Sequence, residues 1–209
     1  MSNFRTESDS MGELQVPNDA LYQAQTQRAV NNFAISGLTM PKQFVTALAY
    51  IKQAAAQSNF ELNHLSKSKA NAIEQACQQI IDGEHYEHFP VDIFQTGSGT
   101  SSNMNANEVI ATLATRIGNE PVHPNDDVNM GQSSNDVVPT AIALSSAINV
   151  VYELLPSLEK LSQSLEQKKA DVGKIVKTGR THLMDAMPVT FEQTLSAWQS
   201  QVNNAASGI

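Results

Sequence analysis

The sequence has 209 residues, of which 41% are hydrophobic and 16% are charged, which is typical of a folded chain and too apolar for a disordered one. Lys and Arg number 13 against 21 Asp and Glu, and the formal net charge of −8 excludes the basic surface that nucleic-acid binding requires. The single cysteine excludes an intrachain disulfide and favours a reducing compartment, so we expect a cytoplasmic protein.

The beginning of the sequence lacks the features of a targeting segment. Residues 1–13 carry several charges and no apolar run of the kind found in signal peptides. No stretch of the sequence approaches the roughly 18 unbroken apolar residues of a typical membrane span. We therefore expect a protein that does not associate with a membrane.

Helical patterns dominate the first part of the chain. Pro41 is a residue type favoured in the first turn of a helix, and the apolar residues that follow it recur at helical spacing. Ser66 predicts the cap of a second helix, which Gly83 ends, and the apolar stripe of that helix gives Cys77 a place in the core. A third helix is predicted over residues 105–118.

The longest helical pattern covers residues 140–169, where apolar residues alternate spacings of four and three, as in helix bundles. Pro156 lies within it and predicts a local bend, because proline lacks a backbone N–H. Thr190 and Gln193 predict a capping box for a last helix, whose apolar seam continues to the chain end. Such seams need partner helices, which further chain or other subunits would supply.

These patterns predict a mainly α fold. We expect an N-terminal helical domain over residues 1–132 that leads into the long helices of an incomplete central helix bundle over residues 133–209. Strand signals are short and ambiguous, at residues 92–94 and 174–177.

Three segments are rich in small neutral hydrogen-bonding residues. Residues 96–105 place a Gly-Ser-Gly-Thr loop before a helix start, where glycines allow close backbone approach and N–H groups attract anions. Residues 123–136 contain His-Pro-Asn-Asp-Asp-Val-Asn and Gln-Ser-Ser-Asn-Asp, which suit either a capped turn or a carboxylate site. Residues 179–188 form a predicted loop with His182, a residue type suited to proton transfer near neutral pH or to a structural role.

A second histidine pattern lies at residues 85–88, where the sequence reads His-Tyr-Glu-His. No matching set of ligands accompanies His85 and His88 elsewhere in the sequence, so a solvated loop before Pro90 is the expected structure. We expect no metal site there.

In this order along the chain, the motifs at residues 97–108, 123–136 and 179–186 resemble those of the class II fumarate hydratases, which belong to the fumarase/aspartase superfamily. Residues 5–13 and 24–28 are similar to the same family's opening. The resemblance implies a lyase of the tricarboxylic acid cycle that interconverts fumarate and malate by anti addition of water. It also implies a homotetramer that works without a metal or other cofactor.

The resemblance also implies roles for individual residues. His182 would be the catalytic proton donor or acceptor. The implied substrate-binding residues are Ser98, Thr100, Ser133, Ser134, Asn135 and Thr181. The implied accessory dicarboxylate site consists of His123, Asn125 and Asp126.

Two alternatives remain open at this point. Aspartate ammonia-lyases of the same superfamily tend to carry glutamine at the position of His182, so histidine favours hydration. The family's Gly-Ser-Ser-x-Met-Pro-x-Lys-x-Asn-Pro signature, which carries the proton-abstracting serine, does not occur in these 209 residues. We therefore expect an inactive N-terminal part of the enzyme or, alternatively, a non-catalytic dicarboxylate-binding or assembly module.

Overall fold

The computed structural model describes residues 3–209, which divide into two compact units, one ending at Ser146 and the other covering Ala147–Ile209. The first unit opens with an antiparallel hairpin of strands β1 (Phe4–Asp9) and β2 (Gly12–Pro17). Arg5 fastens this hairpin to the chain that follows, because its guanidinium donates to backbone carbonyls between Pro17 and Tyr22 at 2.7–3.2 Å. The sequence patterns did not predict the hairpin.

Helices follow in chain order: α1 (Ala24–Asn32), α2 (Lys42–Glu61), α3 (Lys67–Ile81), α4 (Thr100–Gly118) and α5 (Ser134–Asn149). A 3₁₀ turn, Tyr86–His88, lies between α3 and α4, and a π-helical turn, Pro124–Val128, follows α4. The core of the first unit forms where α2, α3 and α4 bury their apolar faces, with Leu48, Ile73 and Val109 at its centre.

The helix signals that depend on neighbouring residues are confirmed. The Ser66 hydroxyl accepts a hydrogen bond from the backbone N–H of Lys69, and Gly83 adopts a left-handed φ of 101° just after α3. Cys77 is fully buried in the core, as predicted. The predicted helix over 105–118 begins earlier, at Thr100.

A long helical run passes from α5 through a π-helical segment (Val150–Leu154) into α6 (Leu155–Val172). The π segment ends two residues before Pro156, where the sequence predicts a bend. By length and composition, residues 134–172 are apolar enough to cross a membrane. The core helix of a bundle passes the same test, and polar residues interrupt the apolar stretch.

The second unit pairs two helices and a hairpin. Strands β3 (Val176–Thr181) and β4 (Met184–Thr190) are antiparallel, and α7 (Phe191–Ser207) packs against α6. The capping box at Thr190 and Gln193 is present, with hydrogen bonds of 2.9 and 3.2 Å. Residues 179–188, predicted as a loop, are instead most of this hairpin.

The predicted mainly α fold is confirmed. The predicted domain division at residues 132 and 133 stays a prediction for the family chain, whereas the chain passes from one compact unit to the other after Ser146.

Candidate functional site

The loop before α4 carries a row of exposed hydroxyl groups. The Ser98 Oγ lies 3.1 Å from both the Thr96 Oγ1 and the Thr100 Oγ1, and all three side chains are exposed. Gly97 and Gly99 bend the loop with left-handed φ values of 83° and 69°. The three linked hydroxyls therefore present donors and acceptors to solvent next to a helix start, where backbone N–H groups favour anions.

Gln95 takes the place of an N-cap for α4. The N-cap residue, Gly99, has no side chain, but the Gln95 Oε1 accepts from the backbone N–H of Ser102 at 3.2 Å. The Gln95 Nε2 also donates to the Ser102 Oγ at 3.0 Å and to the carbonyl of Asp92 at 2.9 Å. Sequence reasoning missed Gln95, because its partner lies seven residues away and no capping motif links them.

Asp92 anchors the base of the same loop. Its carboxylate accepts from the backbone N–H groups of Ser36, Gly37 and Phe94 at 2.6–2.8 Å. Burial alone would raise the pKa of Asp92. These hydrogen bonds and the one from the Ser36 hydroxyl lower the pKa by a larger amount, so that it is about 2. The buried carboxylate is thus ionised and fully engaged in holding two loops together.

The start of α5 brings a second set of polar groups to the surface. The Ser133 Oγ accepts from the backbone N–H of Asn135 at 3.2 Å, and the Ser133 carbonyl accepts the first helical hydrogen bonds. Ser133 and Asn135 are exposed, and Ser134 is half-buried. Ser133 is therefore an N-cap, and the segment has the geometry of an anion-binding helix start.

Two contacts bring these first two segments together. The Asn103 Nδ2, buried within α4, donates to the Ser134 Oγ at 3.0 Å. Gly99 approaches Val138 of α5 so closely that a Cβ at Gly99 would lie 2.7 Å from the Val138 Cγ1. The structure therefore places the Ser98–Thr100 loop against the start of α5, as a shared binding site requires.

A buried lysine supports the turn before Ser133. The Lys52 Nζ donates to the Asn129 Oδ1 and to the Gln132 Oε1, both at 2.9 Å, and Lys52 has no exposed surface. Burial lowers the pKa of Lys52 to about 7. Sequence reasoning missed this residue, although its spacing of four from Leu48 and Ala56, two buried positions of α2, was a signal of burial.

The predicted accessory residues form a separate turn. The His123 Nδ1 accepts from the backbone N–H groups of Asn125 and Asp126 at 3.3 and 3.1 Å. His123 and Asn125 line a polar cavity of ≈ 300 Å³ together with Glu108 and the tip of the β1–β2 hairpin. Asp126 is exposed and is not part of that lining. These bonds explain the turn without a ligand.

Thr181 and His182 lie in the second unit, at the tip of the β3–β4 hairpin. His182 and Leu183 form its two-residue turn with left-handed φ values of 50° and 61°, and Leu183 is 99% exposed. Thr181 and His182 are exposed as well. The hairpin therefore presents the imidazole to solvent on a defined turn.

One group of possible metal ligands occurs within residues 3–209, formed by His85, Glu87 and His88. The His88 Nδ1 faces the backbone N–H of Leu21 at 3.4 Å, and the His85 Nε2 lies 3.0 Å from the Gln79 Oε1. A metal-bound histidine usually donates its second N–H to an acceptor, which is the reverse of the arrangement at His88. The geometry favours structural roles for these histidines.

Comparison with known proteins gives consistent matches. The profile of a family described as Lyase matches residues 12–209. The chain is 58% identical over 208 residues to a class II fumarate hydratase of Xylella fastidiosa (strain 9a5c), covering 98% of this chain and 44% of that protein. It is 55% identical over 205 residues to class II fumarate hydratase 2 of Pseudomonas aeruginosa, covering 98% of this chain and 45% of that protein.

Solved structures agree. The crystal structure of a class II fumarase from Schistosoma mansoni matches with a TM-score of 0.89 and 43% identity, over 98% of this chain and 44% of that one. A fumarate lyase:delta crystallin from Brucella melitensis in native form matches with a TM-score of 0.91 and 43% identity, over 98% and 49%. The chain thus spans less than half the length of these proteins.

Proposed function

The chain belongs to the lyase family, and from this premise we propose that it forms part of a class II fumarate hydratase that interconverts fumarate and malate. The resemblance stated from the motifs is confirmed by the curated relatives, and the match to only part of each relative fits the expectation of a partial chain. The observation that carries the proposal is the joining of the Ser98–Thr100 loop to the Ser133–Asn135 helix start within one unit.

The chemistry of the proposed reaction explains why neutral donors are needed. A base takes the C3 proton of malate, which leaves negative charge that spreads onto the neighbouring carboxylate. The C2 hydroxyl then takes a proton from an acid and leaves as water, which gives fumarate. Preorganised hydroxyls and N–H groups aimed at that carboxylate stabilise the charge as it develops. We assign this role to Ser98 and Thr100 on the loop, and we propose that Ser133, Ser134 and Asn135 at the helix start hold the other carboxylate of the substrate, which gains no charge during the reaction.

His182 is the proposed proton donor or acceptor, and Thr181 adds a hydroxyl beside it. The exposed hairpin tip suits a residue that completes a site built with other parts of an assembly. We propose a homotetramer, as the family resemblance implies, and the large apolar side chains that the second unit leaves exposed, such as Tyr152 and Trp198, support association with other chains. Residues 1–209 lack the family's serine signature, so we propose that they are inactive alone.

Three further parts of the assignment are proposals that follow from the family. The enzyme would act in the cytoplasm, without a metal. An accessory dicarboxylate site would use His123, Asn125 and Asp126. The N-terminal lyase domain would end near residue 132, before the central bundle.

The test is a chimera that joins residues 1–209 to the part of the Xylella fastidiosa relative that follows the matched segment. We expect the chimera to hydrate fumarate. His182→Asn should lower kcat by about a hundredfold or more, because a positioned proton-transfer group contributes that much. His64→Asn, an exposed histidine in the link between α2 and α3, is the matched control and should leave kcat unchanged.

Other results would replace the proposal. Full activity in His182→Asn would remove the assigned role of this residue. Ammonia release from aspartate without fumarate hydration would instead support an aspartate ammonia-lyase. An inactive chimera, combined with heat of fumarate binding to the 209-residue chain in isothermal titration, would support a dicarboxylate-binding module.

A further inference from the structure

A fully buried ammonium group whose hydrogen-bond partners are neutral amides is costly, because ionised groups lose strong hydration on burial. Lys52 lies on α2 within the core of the first unit, and the two hydrogen bonds found for its Nζ end on amide oxygens of Asn129 and Gln132. A methionine would fill a comparable volume without a charge. The role of Lys52 can therefore be inferred from where its two hydrogen-bond acceptors lie.

Both acceptors lie in the turn that precedes α5. The Asn129 Nδ2 donates to the carbonyl of Gln132 at 3.2 Å, and the Gln132 Nε2 donates to the carbonyl of Val128 at 2.9 Å. Lys52 thus fixes two side chains that in turn fix the backbone of residues 128–132. The next residue along the chain is Ser133.

A second chain of hydrogen bonds leads from the Lys52 Nζ to Ser134. The Asn129 Oδ1, which accepts from Lys52, also accepts from the Asn103 Nδ2 at 3.2 Å. The same Asn103 Nδ2 donates to the Ser134 Oγ at 3.0 Å. The ammonium group is therefore linked to both serines, by backbone to Ser133 and by side chains to Ser134.

We propose that Lys52 is a positioning residue, which holds the Ser133–Asn135 segment in the geometry that binds a substrate carboxylate. The inference rests on the proposed function, since it names the group that orders one of its binding segments. In its protonated form Lys52 donates charge-assisted hydrogen bonds, which are stronger than neutral ones, so in that form it restrains the turn more firmly than a neutral side chain would. Lys52 touches no substrate and acts through Asn129 and Gln132.

The mechanism predicts a specific kinetic signature. A carboxylate held by Ser133 and Ser134 is bound in both the ground state and the transition state, so a loosened segment weakens both equally. Such a loss of uniform binding raises KM and leaves kcat unchanged. A general loss of stability would change the amount of folded enzyme instead.

The first experiment measures amide hydrogen exchange in the 209-residue chain with Lys52→Met. We expect residues 129–137 to exchange at least about tenfold faster, because two half-buried acceptors lose their buried donor. Ile80→Val is the matched control, since it removes buried volume from the same core without removing a donor or acceptor. It should lower global stability without a local effect on these amides.

The second experiment measures kinetics in the chimera. Lys52→Met should raise KM for fumarate about tenfold with kcat within about twofold, and Ile80→Val should leave both unchanged. Gln132→Met removes one acceptor at a half-buried position and should raise KM in the same direction, which keeps the test available if Lys52→Met does not fold.

The outcomes separate this inference from the proposed function. Unchanged exchange at residues 129–137, or faster exchange without a rise in KM in an active chimera, would overturn the positioning role. If the chimera has no activity on dicarboxylates, the proposed function fails, and with it the role in substrate binding. Faster local exchange with a raised KM supports both.

Discussion

At the scale of single residues, Asp92 is a buried carboxylate that holds together two loop segments beneath the exposed hydroxyl groups. It joins the Ser36–Gly37 turn to the segment that leads to Ser98, through three backbone N–H groups and one hydroxyl. A carboxylate is suited to this position because it has acceptor sites only, and an amide would point N–H groups at other N–H groups. The loop that carries the exposed hydroxyls is therefore anchored at its base by a buried carboxylate.

Asp92 also predicts a dependence of stability on pH. Its pKa is lowered to about 2 in the folded chain, against an ordinary value of 3.8, so the folded state favours the ionised form. The stabilisation is present above about pH 4 and is lost as the pH falls through 2. Asp92→Asn should destabilise the chain to urea at pH 7, and the difference from wild type should shrink steadily between pH 4 and 2.

The control for this measurement is Asp82→Asn. Asp82 accepts from the Gln78 side chain in the preceding turn of α3 and lies at the helix end. A surface substitution of this kind changes stability little. A gap between Asp92→Asn and wild type that stays constant down to pH 2 would contradict the role given to the ionised carboxylate.

Helix caps were predictable from the sequence where the capping partners lie close together along the chain, and not where they lie far apart. The caps at Ser66 and Thr190 follow from the sequence because donor and acceptor lie three residues apart. Helix α1 is capped instead by the Glu108 carboxylate, which accepts from the backbone N–H groups of Gln23, Gln25 and Thr26 at 2.8–3.1 Å. The start of α1 is thus defined by Glu108 of α4. A partner more than 80 residues away cannot be recognised from a local sequence pattern.

At the scale of elements, the β3–β4 hairpin shows why strand signals were weak. Residues 174–177 carry a short, ambiguous strand signal, and β3 begins within it, at Val176. The β3–β4 turn uses His182 and Leu183 in left-handed conformations, although Asn and Gly are the residues that usually mark such a turn in a sequence. Both strands are largely exposed, so they lack the alternation of apolar and polar residues that predicts a half-buried strand. The long helices were predictable because their apolar periodicity extends over many turns.

The contact between the loop before α4 and α5 gives an element-scale prediction. Gly97 and Gly99 both have left-handed φ, so alanine at either position costs about 1–2 kcal/mol in backbone strain. Gly99→Ala should cost about 1–3 kcal/mol more, because its Cβ would lie 2.7 Å from the Val138 Cγ1, whereas no atom lies within 4 Å at Gly97. Urea unfolding of both variants measures the difference.

A double variant tests whether the extra cost comes from this contact. Val138→Ala removes the two methyl groups that a Cβ at Gly99 would strike. It should therefore recover part of the stability lost in Gly99→Ala and none of that lost in Gly97→Ala. Equal costs for the two glycine variants, with no coupling to Val138, would show that the loop moves freely away from α5.

At the scale of the whole molecule, the two units differ in how many of their apolar side chains are buried. The first unit encloses a continuous core between its helices. In the second, Leu195 is the buried apolar side chain of α7, and α6 has no buried residue. An apolar surface of that kind usually marks an interface. The sequence predicted this because its seams exceed what the chain can cover.

We therefore predict that the 209-residue chain self-associates. Light scattering should give an apparent mass above that of one chain, and added salt should increase association, since it screens the repulsion from a net charge of −8. Trp198→Lys should reduce the apparent mass, because it places a charge on the exposed apolar surface of the second unit. Leu62→Lys is the matched control in the first unit, with 64% exposure against 54% for Trp198, and should have no effect. A monomer at all salt concentrations, without binding of a dye specific for apolar surface, would contradict the prediction.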